Sequence, residues 1–255
     1  MKHLRTLLAI TVAMTFLLGL SVAMRPVELQ PTATIHCKEV VLTVSSGTVT
    51  STSCDGELAA RVSGLVDESV AGVADILDIT WARRADVVIP ATDAELVSLV
   101  GPAFADMAGV AIRDGATQRV VLNRVRAAPL TTLELRVLLR HEITHVATRD
   151  LTSDSAPLWL VEGFADWVAF HGLGVPLRQA APLLTSDVSA LPTDFGGPRR
   201  DLAYQQAYSI MVYLESKLGE RGVVDFFLQY ASLSAVDPRA VDVAGWREFL
   251  RSNIG

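Results

Sequence analysis

The sequence predicts an α+β fold, with strands gathered in the first half of the chain and helices filling the second. Three observations carry this. A β-branched hairpin pattern lies at 40–52, short apolar runs bounded by turn residues lie at 86–90 and 109–123, and apolar residues recur at helical spacing from about 131 onward. Hairpin, helix, strands and then helices is the order of a lobe built on a small mixed sheet, followed by a helical lobe. The 255 residues suffice for one sizeable domain or two smaller lobes with a real core, and 50% apolar against 20% charged residues marks a globular chain. No internal repeat is present.

The elements follow in order. Lys2, His3 and Arg5 precede an uncharged, largely apolar run from Leu7 to Met24, which ends on Ser21-Val22-Ala23. A basic start, an apolar middle and small residues before the end form the pattern of an export signal, with cleavage expected after Ala23. The same run is long enough to remain as an anchor, holding the protein to a membrane through residues 7–24. Either route exports the remainder, secreted or membrane-anchored, with the domain outside the cytoplasm. Residues 25–34 carry two prolines and no periodicity and read as a linker. Cys37 and Cys54 are the two cysteines of the chain, and an oxidising compartment favours a disulfide between them. The alternative, two thiols serving a metal, lacks a close Cys or His partner at zinc spacing.

Val40–Val44 and Thr48–Thr52 predict a hairpin turning at Ser45-Ser46-Gly47, so 25–56 reads as linker plus stapled hairpin. From Glu57 to Ile79 the apolar residues Leu58, Val62, Leu65, Val66, Val70, Val73, Ile76 and Leu77 predict a helix. Asp86–Pro90 reads as a short buried strand, and Asp93 is positioned to cap a helix over 94–100. Gly109–Ile112 and Arg119–Asn123 read as two strands around a turn at Arg113-Asp114-Gly115. Thr131-x-x-Glu134 is a capping-box pattern, and it starts an apolar stripe through Leu135, Leu138 and Leu139. A largely apolar helix is expected from Leu158 to Trp167, ending the first lobe (57–172) near His171, a partner for the helix C-terminal dipole. The second lobe (173–255) opens with Pro176, Pro182, Pro192 and Pro198, a loop suited to lie over a cleft. Helices over 223–233 and 243–253 close it, with Trp246, Phe249 and Leu250 as core.

Charge narrows the partners. The formal net charge is −6, and removing the cations Lys2 and Arg5 with a leader takes it to −8. No basic surplus remains to meet phosphates, which excludes nucleic acid as the expected partner.

The chemistry-bearing stretch is His141-Glu142-Ile143-Thr144-His145. On a helix turning about 100° per residue, the two histidines lie roughly 40° apart on one face. One divalent ion can sit on both imidazoles while Glu142 leans over the same opening as a candidate base. Zinc (Zn2+) suits such a site, because it takes neutral imidazole readily and undergoes no redox chemistry. Two histidines still leave it short of a ligand. Glu162 and Asp166 stand one turn apart in the apolar segment that follows, where carboxylates are costly unless paired or ligating. Glu162 as third metal ligand, and Asp166 as a partner orienting a ligand imidazole, resolve both costs.

These residues resemble those of a gluzincin zinc metallopeptidase of the small peptidase MA-like kind. His141, Glu142 and His145 match the zincin helix, and Trp159-Leu160-Val161-Glu162-Gly163-Phe164-Ala165-Asp166 matches the second metal helix. Ala203 to Leu214 resembles the helix that carries a transition-state tyrosine in the aminopeptidase N branch, which places Tyr204 in that role and Tyr208 second. The likeness extends from about residue 86 to the C-terminus. The Gly-x-Met-Glu-Asn type segment that holds a substrate's free amino terminus is missing. Gly109-Val110-Ala111-Ile112 stands at that edge without an acid.

The resemblance implies a zincin-like lobe and hydrolysis of a peptide or protein substrate, with zinc on His141, His145 and Glu162, and Glu142 as base. The competing expectations are a catalytically silent zincin-fold protein that binds a peptide or envelope partner, and an anchored structural protein with a chance motif.

Overall fold

The computed structural model describes residues 10–11, 39–53, 56–115, 117–233 and 240–254. Most of the expected leader, the linker and both cysteines lie outside the described residues, and the expected Cys37–Cys54 pairing with them. No described helix is long and apolar enough to cross a membrane.

The fold is mixed α+β. Strands β2 (Val40–Val44) and β3 (Gly47–Ser51) form the antiparallel hairpin expected from their β-branched residues. Helix α1 (Gly56–Leu77) then crosses over, so that β4 (Asp86–Ile89) pairs parallel to β3. The antiparallel pair β5 (Gly109–Asp114) and β6 (Thr117–Leu122) completes the sheet, with β6 parallel to β4. The order is β5-β6-β4-β3-β2, and a two-residue strand β1 (Ile10–Thr11) adds antiparallel to the outer edge of β5.

Strand alternation assigns the two faces. Val110, Ile112 and Val121 pack with Leu96, Val100 and Met107 on the side of α2 (Asp93–Val100). Val120 and Leu122 point to the other side, into the main core shared with α1 and α4 (Thr132–Thr148). That core continues past residue 172. The Phe164 ring of α5 (Leu158–Phe170) stacks on Phe227 of α7 (Arg200–Tyr230) at 3.9 Å between centroids and 8° between planes. Trp246 of α8 (Val243–Ile254) is fully buried and donates its Nε1–H to Ser209 Oγ at 3.1 Å.

Local sequence explains the helix boundaries well, with two differences. The Thr131–Glu134 capping box forms as expected, Thr131 N donating to Glu134 Oε2 at 2.6 Å and Glu134 N to Thr131 Oγ1 at 3.3 Å. At α2, however, Thr92 is the cap and Asp93 the first helical residue. Thr92 has the extended backbone a cap requires and makes its own box with Glu95. The helix expected over 223–233 forms the second segment of α7, which starts at Arg200 and breaks at Gly219, where φ is 72° and ψ 171°. A short helix α3 (Arg124–Ala127), capped by Asn123, links β6 towards α4, and another, α6 (Leu177–Ala180), interrupts the expected loop.

Candidate metal centre

Helix α4 lies on the sheet with α5 beside it, and the facing surfaces of these two helices make the site. One turn separates His141 from His145 on α4, and one turn separates Glu162 from Asp166 on α5. All four side chains are buried, and Glu142 is fully buried with them. Glu162 and Asp166 therefore do not lie on a solvated edge of α5.

The donor atoms converge. His141 Nε2 and His145 Nε2 are 2.9 Å apart, and Glu162 Oε2 lies 3.4 Å from the first and 3.7 Å from the second. Two ligands on a tetrahedral zinc, with bonds of about 2.0–2.1 Å, stand roughly 3.3 Å from each other. The three separations bracket that value. Glu162 Oε2 is buried and has no hydrogen-bond partner among the described residues. A hydrogen bond between the two rings would leave that carboxylate oxygen without a hydrogen-bond donor, a costly state. A divalent cation on all three atoms satisfies the group, so the residues fit zinc.

Asp166 sets the orientation. Its Oδ1 lies 2.7 Å from His141 Nδ1, which places the ring's proton there and turns Nε2 towards His145 and Glu162. Burial pulls the His141 ring down, but the Asp166 carboxylate overrides it and drives His141 up to about 10. Burial raises Asp166 in turn, and a cation on Nε2 would displace any proton held there. Burial lowers His145 despite the attraction of Glu162. Glu162 is pushed up by burial, but His145 and His141 outweigh this and hold it below the usual carboxylate range.

Glu142 differs from the other acids. Neither of its oxygens has a side-chain partner among the described residues, and burial raises it to about 8 against the opposing pull of His141. The Ala111 backbone N–H of β5 acts in the opposite sense, favouring the charged form. Glu142 therefore sits between the ligand group and the outer strand of the sheet.

The surrounding structure holds α4 and α5 in register. Arg140, buried next to His141, donates Nη1 to the His171 carbonyl at the end of α5, 2.9 Å away. Trp167 Nε1 donates to Glu215 Oε2 of α7 at 2.8 Å. Gly163 lets α7 approach α5, since a Cβ there would meet the Ala207 carbonyl oxygen at 2.4 Å. In the sequence the one signal for Arg140 is a cation placed directly between the apolar stripe and the motif.

The candidate tyrosines occupy α7. Tyr204 is buried with its ring edge-on to Phe195, 5.2 Å between centroids. Tyr208 is buried against Phe170, and burial together with Asp166 and Glu215 holds its hydroxyl above the ordinary range. His171 closes α5 as expected of a helix-end residue, with its ring between Glu215 and Glu220 at 3.8 and 3.4 Å.

No protein-family model and no curated protein matches the chain. The functional reading therefore rests on the residues themselves, and these form a buried His141–His145–Glu162 group that could hold a metal ion.

Proposed function

We propose that the protein is an exported zinc-dependent peptidase of the gluzincin type. The observation that carries this reading is Glu142, a fully buried carboxylate without a side-chain partner, placed beside three convergent metal-ligand atoms. An unpaired buried carboxylate is expensive in a merely structural site, and hydrolysis gives it a role.

The roles divide as follows. His141, His145 and Glu162 hold zinc, which supplies a Lewis acid and brings a bound water's pKa towards neutrality. Asp166 keeps His141 in the tautomer that presents Nε2. Glu142 accepts the proton of the water attacking a peptide carbonyl and delivers it to the leaving amine. Buried beside the ligand atoms, the carboxylate stands where it can exchange a proton with that water. Tyr204 is the candidate donor to the developing oxyanion.

The outer edge of β5, which Ile10–Thr11 of the expected leader covers, is suited to align an extended substrate by strand addition once that segment leaves it. Asn123 N donates to Ala108 O at 2.9 Å, so in the alternating antiparallel ladder the backbone groups of Gly109 and Ala111 face away from β6. An antiparallel strand fits on this edge, as Ile10–Thr11 does opposite Val110 and Ala111. The segment Gly109–Ile112 carries no acid to grip a free amino terminus, which argues against aminopeptidase specificity.

Incubating the purified protein with an unbiased peptide mixture, with and without a chelator, tests the reading. Chelator-sensitive cleavage that is lost in Glu142→Gln is the expected result. A protein that binds zinc stoichiometrically yet cleaves nothing overturns it and leaves a peptide-binding role for the same fold.

A further inference from the structure

We infer that Gly109 is a positioning residue for Glu142: the missing side chain at the start of β5 is what lets the carboxylate reach the edge strand. The inference rests on the reading of Glu142 as the base.

The argument is one of space. A Cβ on Gly109 would lie 3.0 Å from Glu142 Oε1, 3.1 Å from Glu142 Cγ and 3.0 Å from Leu138 Cδ1. These distances are shorter than carbon ordinarily tolerates, so at least one neighbour would have to move. Backbone conformation does not explain the glycine, because Gly109 is absent from the glycines with positive φ and sits in regular antiparallel pairing opposite Leu122. Any residue could adopt its backbone angles, and glycine is needed for room alone.

The same face of β5 continues the pattern. Gly109 and Ala111, both small, point towards α4, whereas Val110 and Ile112 fill the opposite cluster with Leu96 and Val100. Further along this face Arg113 is large again, and it pairs with Asp150 beyond the end of α4. The strand is thus narrow only beside Glu142. A methyl group at 109 would push the carboxylate back by a few tenths of an ångström. Displacements on this scale reduce catalysis sharply, a shift of 1 Å costing on the order of 100-fold.

Gly109→Ala in the full-length protein tests this with two readouts. The first is the side-chain carboxyl 13C resonance of Glu142 in metal-free protein, assigned by its loss in Glu142→Gln. It should move in Gly109→Ala while those of Glu162 and Asp166 stay in place. The second is kinetic, with kcat falling on the order of tenfold and KM unchanged.

Gly109→Ala/Leu138→Val relieves the other tight contact, and both effects should persist in it. The double variant also serves if Gly109→Ala alone does not fold. An unmoved Glu142 resonance, its recovery in the double variant, or failure of both variants to fold overturns the inference. A wild-type protein that cleaves no peptide defeats the peptidase reading, while the resonance still decides the role of Gly109.

Discussion

Asp166 Oδ1 stands 2.7 Å from His141 Nδ1, one helical turn beyond Glu162 on the same helix. Helix α5 therefore supplies both a candidate ligand and the group that aims a ligand of α4, so the two helices must keep their register for a metal to bind. Asp166→Ala should weaken zinc affinity by about 10- to 100-fold, as loss of an outer partner of a ligating histidine commonly does. Competition with a chromogenic chelator measures it, and an affinity within threefold of wild type would remove Asp166 from this role.

Glu142→Gln separates binding from chemistry. The amide is close in volume and is no ligand, so zinc content should be unchanged. Hydrolysis should fall by about 10²- to 10⁴-fold, the usual contribution of a general base. Parallel metal analysis and steady-state kinetics check the two halves.

Metal should also stabilise the fold. Removing it leaves Glu162 Oε2 buried without a hydrogen-bond partner. Zinc at a thousandfold excess over its dissociation constant should add about 4 kcal/mol, seen as a rise in Tm. Glu162→Ala should abolish most of that rise, which thermal melts with and without chelator would show.

The close approach of α5 and α7 gives a packing prediction. Gly163→Ala places a methyl against the Ala207 carbonyl oxygen, which would lie 2.4 Å from the new carbon. Backbone has to move, and a loss of about 1–3 kcal/mol is expected from overpacking. Urea denaturation of the metal-free protein measures it without the contribution of zinc.

Asp86 ties β4 to β3 and carries a pH dependence. Its Oδ1 accepts from Thr48 N at 3.0 Å, from Thr48 Oγ1 at 2.8 Å and from Arg84 Nη2 at 2.9 Å. Burial pushes the carboxyl up, but Thr48 and Arg84 together hold it below the ordinary 3.8. A depressed folded value means that the stabilisation is complete above the unfolded pKa and is lost as pH falls through the folded one. Asp86→Asn should cost about 1 kcal/mol at neutral pH. The gap to wild type should close in acid below 3.8, as denaturant melts across pH would reveal.

Legibility in the sequence followed the range of the interactions. The Thr131–Glu134 box and the i, i+4 pairs of α4 and α5 are decided within a turn or two of chain, and they stand where periodicity put them. The cap of α2 lies one residue before the expected Asp93, because Thr92 and Asp93 are both good caps and only the extended backbone at Thr92 chooses between them. The helix expected over 223–233 lies beyond a break at Gly219, whose φ of 72° and ψ of 171° separate it from the preceding segment of α7.

By itself the sequence determined which residues share a helical face, because the phase of a helix is set locally. His141 with His145, and Glu162 with Asp166, follow from that rule. Tertiary structure alone decided that these faces meet within hydrogen-bonding distance, that Arg140 joins the end of α5, and that Gly109 leaves room for Glu142. Those relationships cross between elements far apart in the chain. They depend on how the helices pack on the sheet and on one another, which no local pattern encodes.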